Sequence, residues 1–149
     1  MNVLGIETSC DDTAAAVITD GTSIRSNIVA SQSDMHKKYG GIIPEISSRE
    51  HLTSLIPVVN EALNKADMTH KDIDAIAVTY GPGLAGSLLI GVNSAKGLSM
   101  AWDKPLIGIN HLEGHIYSAW LEGLEPDSKA GFPIVCLIAS GGHTDLILM

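Results

Sequence analysis

The stretch VLGIETSCDDTAAAVIT, residues 3–19, decides how this chain is read. Two short apolar runs, 3–7 and 14–19, flank the polar segment Thr8, Ser9, Cys10, Asp11, Asp12 and Thr13. Apolar runs of that length around a polar turn predict strand, turn, strand. Asp20-Gly21 is a further turn signal, and residues 24–32 read as a third strand. Three successive strands with tight connections imply an antiparallel meander.

Beyond Gly40-Gly41 the hydrophobic period changes. Between Pro44 and Ala66, the positions Ile46, Leu52, Leu55, Ile56, Val59 and Leu63 follow helical spacing. Pro57 interrupts that run, so a kink or a boundary between two helices is expected there. Residues 74–80 return to a strand that ends at Gly81-Pro82-Gly83, and 85–102 carry a helical pattern. A strand over 105–110 and a short helix over 111–122 follow, with Asn110 as the N-cap. Residues 123–131 read as a loop, and 132–139 and 145–149 as strands around a Ser-Gly-Gly-His turn. The order β-β-β-α-β-α-β-α, then β-β, predicts an α/β fold with a mixed sheet and flanking helices. The apolar strands 74–79 and 105–109 suit positions covered on both faces.

Composition is consistent with one ordinary domain: 149 residues, 45% hydrophobic and 17% charged. A disordered chain would be poorer in apolar residues and richer in charge. Only Trp102, Trp120, Tyr39, Tyr80, Tyr117 and Phe132 are aromatic, so the core must be aliphatic. Nine basic against 17 acidic residues give a formal charge of −8, which offers no clustered footprint for nucleic acid. Cys10 and Cys136 make neither a disulfide framework nor a CxxC pair. No apolar run is long enough for a membrane span and no signal peptide is visible, so a cytoplasmic location without membrane contact is expected.

The segment 3–19 has an echo. PIVCLIASGGHTDLILM repeats its scheme, and an offset of 131 residues lines up Ile6–Val17 with Leu137–Leu148. Such self-similarity suggests a duplicated unit whose second copy has begun; two unrelated hairpins would look the same. The last residues, Leu146 to Met149, form an apolar strand, so a longer parent protein is expected.

Several clusters have residue types suited to chemistry. His111 and His115, four apart on a helix, put two imidazoles on one face, near enough to share a metal ion. They equally suit an ordinary helix edge, and Glu113 is offset from the HExxH pattern. Ser140-Gly141-Gly142-His143-Thr144 can turn backbone N–H groups toward a phosphate or carboxylate, or simply form a hairpin turn. Gly81 to Ser87 can cradle an anion at a helix start, or permit close helix–strand packing. Thr8, Ser9, Asp11, Asp12 and Thr13 could hold Mg²⁺ through waters near a nucleotide phosphate, or form a solvated turn. Cys10 would be a nucleophile only with an activating partner and otherwise reads as a small buried residue. Glu45, Ser48, Arg49, Glu50 and His51 form a polar cluster at the start of the first helix, for which a solvated helix end is an adequate explanation. Glycine-rich or polar turns at several strand ends point to a nucleotide-binding α/β domain.

Five strings carry a resemblance: GIETSCDDT (5–13), GIIPEISSREH (41–51), GPGLAGSL (81–88), NHLEGH (110–115) and SGGHT (140–144). In order and spacing they resemble the TsaD family, also called Gcp or YgjD and formerly O-sialoglycoprotein endopeptidase. Its members are tRNA N6-adenosine threonylcarbamoyltransferases. The resemblance implies the duplicated actin/Hsp70/sugar-kinase (ASKHA) superfold, with residues 1–131 as an N-terminal RNase-H-like lobe and 132–149 as the first hairpin of a truncated second lobe.

It further implies transfer of threonylcarbamoyl from threonylcarbamoyl-AMP to N6 of the adenosine beside the anticodon, in tRNAs reading codons that begin with A. His111 and His115 match the family's metal ligands, for iron or zinc. Ala139, Ser140, Gly141, Gly142 and His143 match the segment contacting the adenylate donor, and Asp11 matches an acidic residue near the reaction centre. Asp12 stands where several relatives carry Glu. The third metal ligand resembles an aspartate beyond this sequence, so the fragment by itself is expected to be inactive. Implied partners are tRNA, TsaB-like and TsaE-like proteins, a TsaC-type enzyme supplying the donor, and a homo- or hetero-dimer through the N-terminal lobe. A TsaB-like scaffold and an ATPase or kinase of the same superfold are the alternatives. No peptidase constellation supports the older name.

Overall fold

A computed structural model describes residues 1–121, 131–140 and 144–149 of the chain. The opening segment folds as its pattern demands: β1 (Asn2–Glu7), β2 (Asp12–Thr19) and β3 (Ser23–Ser31) form an antiparallel meander. Leu4 faces Val17 and Ile6 faces Ala15 across the first pair, and all four are buried. Asp20 and Gly21 reverse the chain at φ 53° and 85°, left-handed values that these two residue types tolerate well. The turn closes so that Thr19 faces Ser23. The third strand therefore starts one residue earlier than the expected 24–32.

A short helix α1 (Ser33–Lys37), absent from the sequence reading, leads to α2 (Pro44–Lys65). Pro44 occupies the first turn of α2, where its missing N–H costs nothing. Of the kink or helix boundary expected at Pro57, the boundary does not occur: α2 is one helix that runs through Pro57. Pro57 and Thr53 both lie on its exposed side, so the carbonyl that loses its helical partner meets water instead. β4 (Ala75–Gly81) then runs parallel to β1, α3 (Ala85–Trp102) crosses back, and β5 (Leu106–Asn110) pairs parallel with β4. The five-stranded sheet has the order β3-β2-β1-β4-β5.

After β5 comes α4 (His111–Tyr117), capped as expected by the Asn110 side chain, which accepts from the Leu112 N–H at 2.9 Å. The helix expected to reach 122 ends at Tyr117, and a 3-10 turn (Ser118–Trp120) follows it. Of the loop expected over 123–131, all but Gly131 lies outside the described residues. β6 (Val135–Ala139) and β7 (Thr144–Leu148) form a separate antiparallel pair.

The core is aliphatic. Leu55, Val59, Ala62 and Leu63 of α2, with Ala95 of α3, cover Leu4, Ile6, Val17, Ile28 and Val78 of the sheet. β4 is buried along most of its length, as expected. β5 is not: among the described residues it forms the sheet edge, and it leaves Ile107 45% exposed.

The pairing register of the two hairpins is the same under the 131-residue offset. Val135 faces Leu148 and Leu137 faces Leu146, where the first hairpin pairs Leu4 with Val17 and Ile6 with Ala15. The burial differs. The first quartet forms the core, whereas Val135, Leu137, Leu146 and Leu148 are 59–73% exposed.

Two glycines of α3 test how closely it approaches the β1–β2 loop. A methyl group on Gly91 would overlap the Thr8 side chain, itself fully buried, whereas one on Gly97 would meet open space. Gly97→Ala is expected to stabilise the fold by about 0.5–1 kcal/mol, the usual gain within a helix. Gly91→Ala is expected to destabilise it by about 1–3 kcal/mol through overpacking. Urea denaturation of both variants should show midpoints moving in opposite directions.

Candidate functional site

β1, β4 and β5 are mutually parallel, so their C-terminal ends meet at one edge of the sheet, the usual place for sites in α/β folds. Glu7 ends β1, Thr79 lies near the end of β4, and His111 opens α4 directly after β5. The strands bring the three side chains together. Thr79 Oγ1 donates to Glu7 Oε2 at 2.6 Å, and that same oxygen lies 3.1 Å from His111 Nδ1. The Ser9 amide donates to the other Glu7 oxygen, and Ser9 Oγ is 3.1 Å from His111 Nδ1. One helical turn along α4, His115 Nε2 comes within 3.0 Å of His111 Nε2. Burial pushes the Glu7 pKa up, but the hydrogen bonds from Ser9, Thr79 and His111 outweigh it and hold the carboxyl below its usual value.

The β1–β2 loop is held against the helices by buried polar groups. His51, fully buried, places Nε2 3.0 Å from the Cys10 carbonyl and Nδ1 2.7 Å from the Thr13 hydroxyl. A carbonyl only accepts, so Nε2 carries the proton and Nδ1 accepts from Thr13. Ser47 also donates to the Cys10 carbonyl, and Thr8 Oγ1 donates to the Ser87 carbonyl at 2.9 Å. Among the described residues no buried side-chain polar atom lacks a hydrogen-bond partner.

This arrangement bears on several readings the sequence left open. The glycines after β4 permit close packing: a Cβ on Gly83 would overlap the Ser9 carbonyl, which accepts the Leu84 N–H at 2.7 Å. In the Thr8–Thr13 segment, Thr8, Ser9 and Thr13 are buried and bonded within the fold. Cys10, Asp11 and Asp12 are the members that reach solvent. Of the polar cluster on α2, Glu45 and Arg49 pair with each other on the surface, while His51 turns inward. Cys10 is exposed rather than buried, and desolvation and the Asp11 carboxylate push its thiol pKa up. Neither effect favours a thiolate nucleophile.

Asp11 lies two residues beyond Ser9 in the same loop. Ala139 and Ser140 sit at the end of β6 and share with His115, Ile116 and Trp120 a cleft of ≈ 370 Å³ between α4 and the hairpin. Gly141, Gly142 and His143 lie outside the described residues. The described residues contain no set of three or more side chains able to hold a metal. The histidine pair fits as two ligands of one ion: tetrahedral nitrogens at about 2.0–2.1 Å from zinc lie about 3.3 Å apart, against 3.0 Å between the Nε2 atoms.

Glu7 is the residue that sequence reasoning missed. It passes for the polar end of a strand, although a carboxylate ending an otherwise apolar run just before the polar turn Thr8–Asp12 was a usable signal. Thr79 carried no signal.

A family profile described as "TsaD: tRNA N6-adenosine threonylcarbamoyltransferase" matches residues 23–149. The chain belongs to the TsaD family. Curated relatives named tRNA N6-adenosine threonylcarbamoyltransferase include one from Thermomicrobium roseum, 59% identical over 100% of this chain and 41% of its own length. One from Bacillus subtilis is 55% identical over 100% of this chain and 42% of its own. The chain thus spans about two-fifths of the length of these relatives. Among solved structures, YeaZ from Pseudomonas aeruginosa superposes with a TM-score of 0.58 at 21% identity, covering 83% of this chain and 50% of that one. T. thermophilus RuvC in complex with Holliday junction substrate gives 0.51 at 11% identity, covering 85% and 81%. At such identities these likenesses show the α/β fold alone. No helix among the described residues is long and apolar enough to cross a membrane.

The buried clamp on the β1–β2 loop of this TsaD-family chain can be tested directly. His51→Leu preserves apolar bulk but removes the partner of the Thr13 hydroxyl and one of the two donors to the Cys10 carbonyl. A loss of about 2–4 kcal/mol is expected from unsatisfied buried polar groups, read as a lower urea midpoint with an unchanged slope.

Proposed function

We propose that this chain is the N-terminal part of a tRNA N6-adenosine threonylcarbamoyltransferase. On this reading the protein at full length transfers threonylcarbamoyl from threonylcarbamoyl-AMP to N6 of the adenosine beside the anticodon. The carrying observation is the convergence of His111 and His115 at the strand ends, with a hydrogen-bonded carboxylate behind His111. A TsaB-like scaffold would need neither imidazole.

His111 and His115 would hold one divalent ion, iron or zinc, with the remaining ligands coming from outside the described residues. Such an ion, when bound, supplies Lewis-acid polarisation of the transferred carbonyl. The chain's own residues do the rest. Backbone N–H groups of the segment from Ala139 to His143 would bind the phosphate of the leaving AMP; the shared cleft of Ala139 and Ser140 with His115 supports this placement. Asp11 would accept a proton from the incoming amine. Asp11 and Asp12 are also the groups through which Mg²⁺ with a nucleotide would be met.

The sheet order and the matching hairpin registers support an RNase-H-like lobe of the ASKHA superfold over 1–131, with 132–149 opening a second lobe. The exposed quartet Val135, Leu137, Leu146 and Leu148 would then be the core face of that second lobe. Cytoplasmic TsaB-like and TsaE-like partners, a TsaC-type donor-making enzyme and a dimer through the N-terminal lobe complete the proposal. A chain with charge −8 leaves the grip on tRNA largely to other surfaces.

The test uses the protein at full length, incubated with tRNA, threonine, bicarbonate, ATP and the donor-making and partner proteins. Mass spectrometry of the digested nucleosides is expected to show threonylcarbamoyladenosine with wild type. The double variant His111→Ala/His115→Ala should form it at least ~100-fold more slowly, the scale of a lost metal's contribution. Equal modification by both would remove the metal role. No product from either would favour the scaffold or kinase alternative.

A further inference from the structure

We infer that Glu7 is a positioning residue that fixes the tautomer of His111, holding the proton on Nδ1 so that Nε2 is the ligating atom. The inference rests on the metal-site reading above and assigns a role to the carboxylate that reading notes only as standing behind His111.

Three features carry it. Glu7 is fixed from two sides, by the Thr79 hydroxyl at 2.6 Å and by the Ser9 amide. Both donors belong to the strand ends or to the loop clamped by His51, so the carboxylate cannot follow the imidazole if it turns. Second, Glu7 Oε2 lies 3.1 Å from His111 Nδ1. A carboxylate oxygen already accepting from Thr79 meets that ring nitrogen favourably only if the nitrogen carries hydrogen. Ser9 Oγ, also 3.1 Å from Nδ1, serves as a second acceptor for the same hydrogen. Third, a proton on Nδ1 leaves the lone pair on Nε2, the atom that faces His115 Nε2 at 3.0 Å. In the metal-free protein His115 Nε2–H then donates to His111 Nε2. Carboxylates behind ligating histidines orient the ring and raise its basicity, and their loss costs about 10–100-fold in metal affinity.

The experiment measures the tautomer without metal. Protein at full length, labelled with ¹⁵N-histidine and stripped with a chelator, is examined by long-range ¹H–¹⁵N correlation, with His111→Ala assigning the signals. Wild type is expected to show His111 as the Nδ1–H form before and after Zn²⁺ is added. An Nε2–H form of His111 in the metal-free wild type overturns the inference, whatever the enzyme's activity. Zn²⁺ titration of Glu7→Ala against a competing chelator is expected to show 10–100-fold weaker binding, with His111 distributed over both tautomers. An unchanged tautomer and unchanged affinity in that variant would also overturn it. Should Glu7→Ala fail to fold, the wild-type spectrum alone decides. If wild type shows the Nδ1–H form yet binds no Zn²⁺ at all, the metal reading falls while the tautomer assignment stands.

Discussion

The hydrogen bond from the Leu84 amide to the Ser9 carbonyl, 2.7 Å long, joins the first hairpin to the start of α3. The site depends on it. With its carbonyl held there, Ser9 turns its own amide toward Glu7 and its hydroxyl toward His111. The approach is possible only because Gly83 has no side chain to meet that carbonyl. Backbone contact between two loops, more than any single side chain, sets the distance between the β1–β2 loop and the start of α3.

Such closeness is ordinarily bought with apolar contacts; here it is achieved with polar ones. Thr8, Thr13, Ser47, His51 and Ser87 are all fully buried, and each has a partner within the cluster. A hydroxyl or imidazole seals a turn's carbonyls, whereas leucines at the same positions would strand them and cost about 1–3 kcal/mol per group. The aliphatic core beneath, from Leu4 to Leu63, supplies the general driving force. The polar layer above it supplies geometry.

That division explains what was legible in the sequence. Alternation over 3–19, the Asp20-Gly21 turn and the helical period of 85–102 gave their elements almost to the residue, because local periodicity follows burial. His111 and His115 were legible because their spacing matches one helical turn. Glu7, Thr79 and Ser9 were not legible as a set: they lie 72 and 2 residues apart in sequence from Glu7, and only the parallel pairing of β1 with β4 makes them neighbours. Pro57 left a kink and a helix boundary both open for a related reason. Its penalty depends on whether the orphaned carbonyl is buried, and the pattern of apolar residues around it did not settle which side it faced. The edge position of β5 was hidden too, since an apolar strand reads the same whether one neighbour or two lie beside it.

The sheet face opposite α2 leaves open space beside the two histidines. Gly5, Ala14, Ala16 and Ala77 line it, and together with His111, His115 and Leu121 they bound a cleft of ≈ 480 Å³. Small residues at these positions cost the fold little, since that face is not the one packed by α2. Branched side chains in their place would project about one side-chain layer further from the sheet and occupy the cleft from below. Burial of the core face is therefore indifferent to these four residues, whereas access to the imidazoles is not. The small residues of this stripe leave the cleft beside the two imidazoles open.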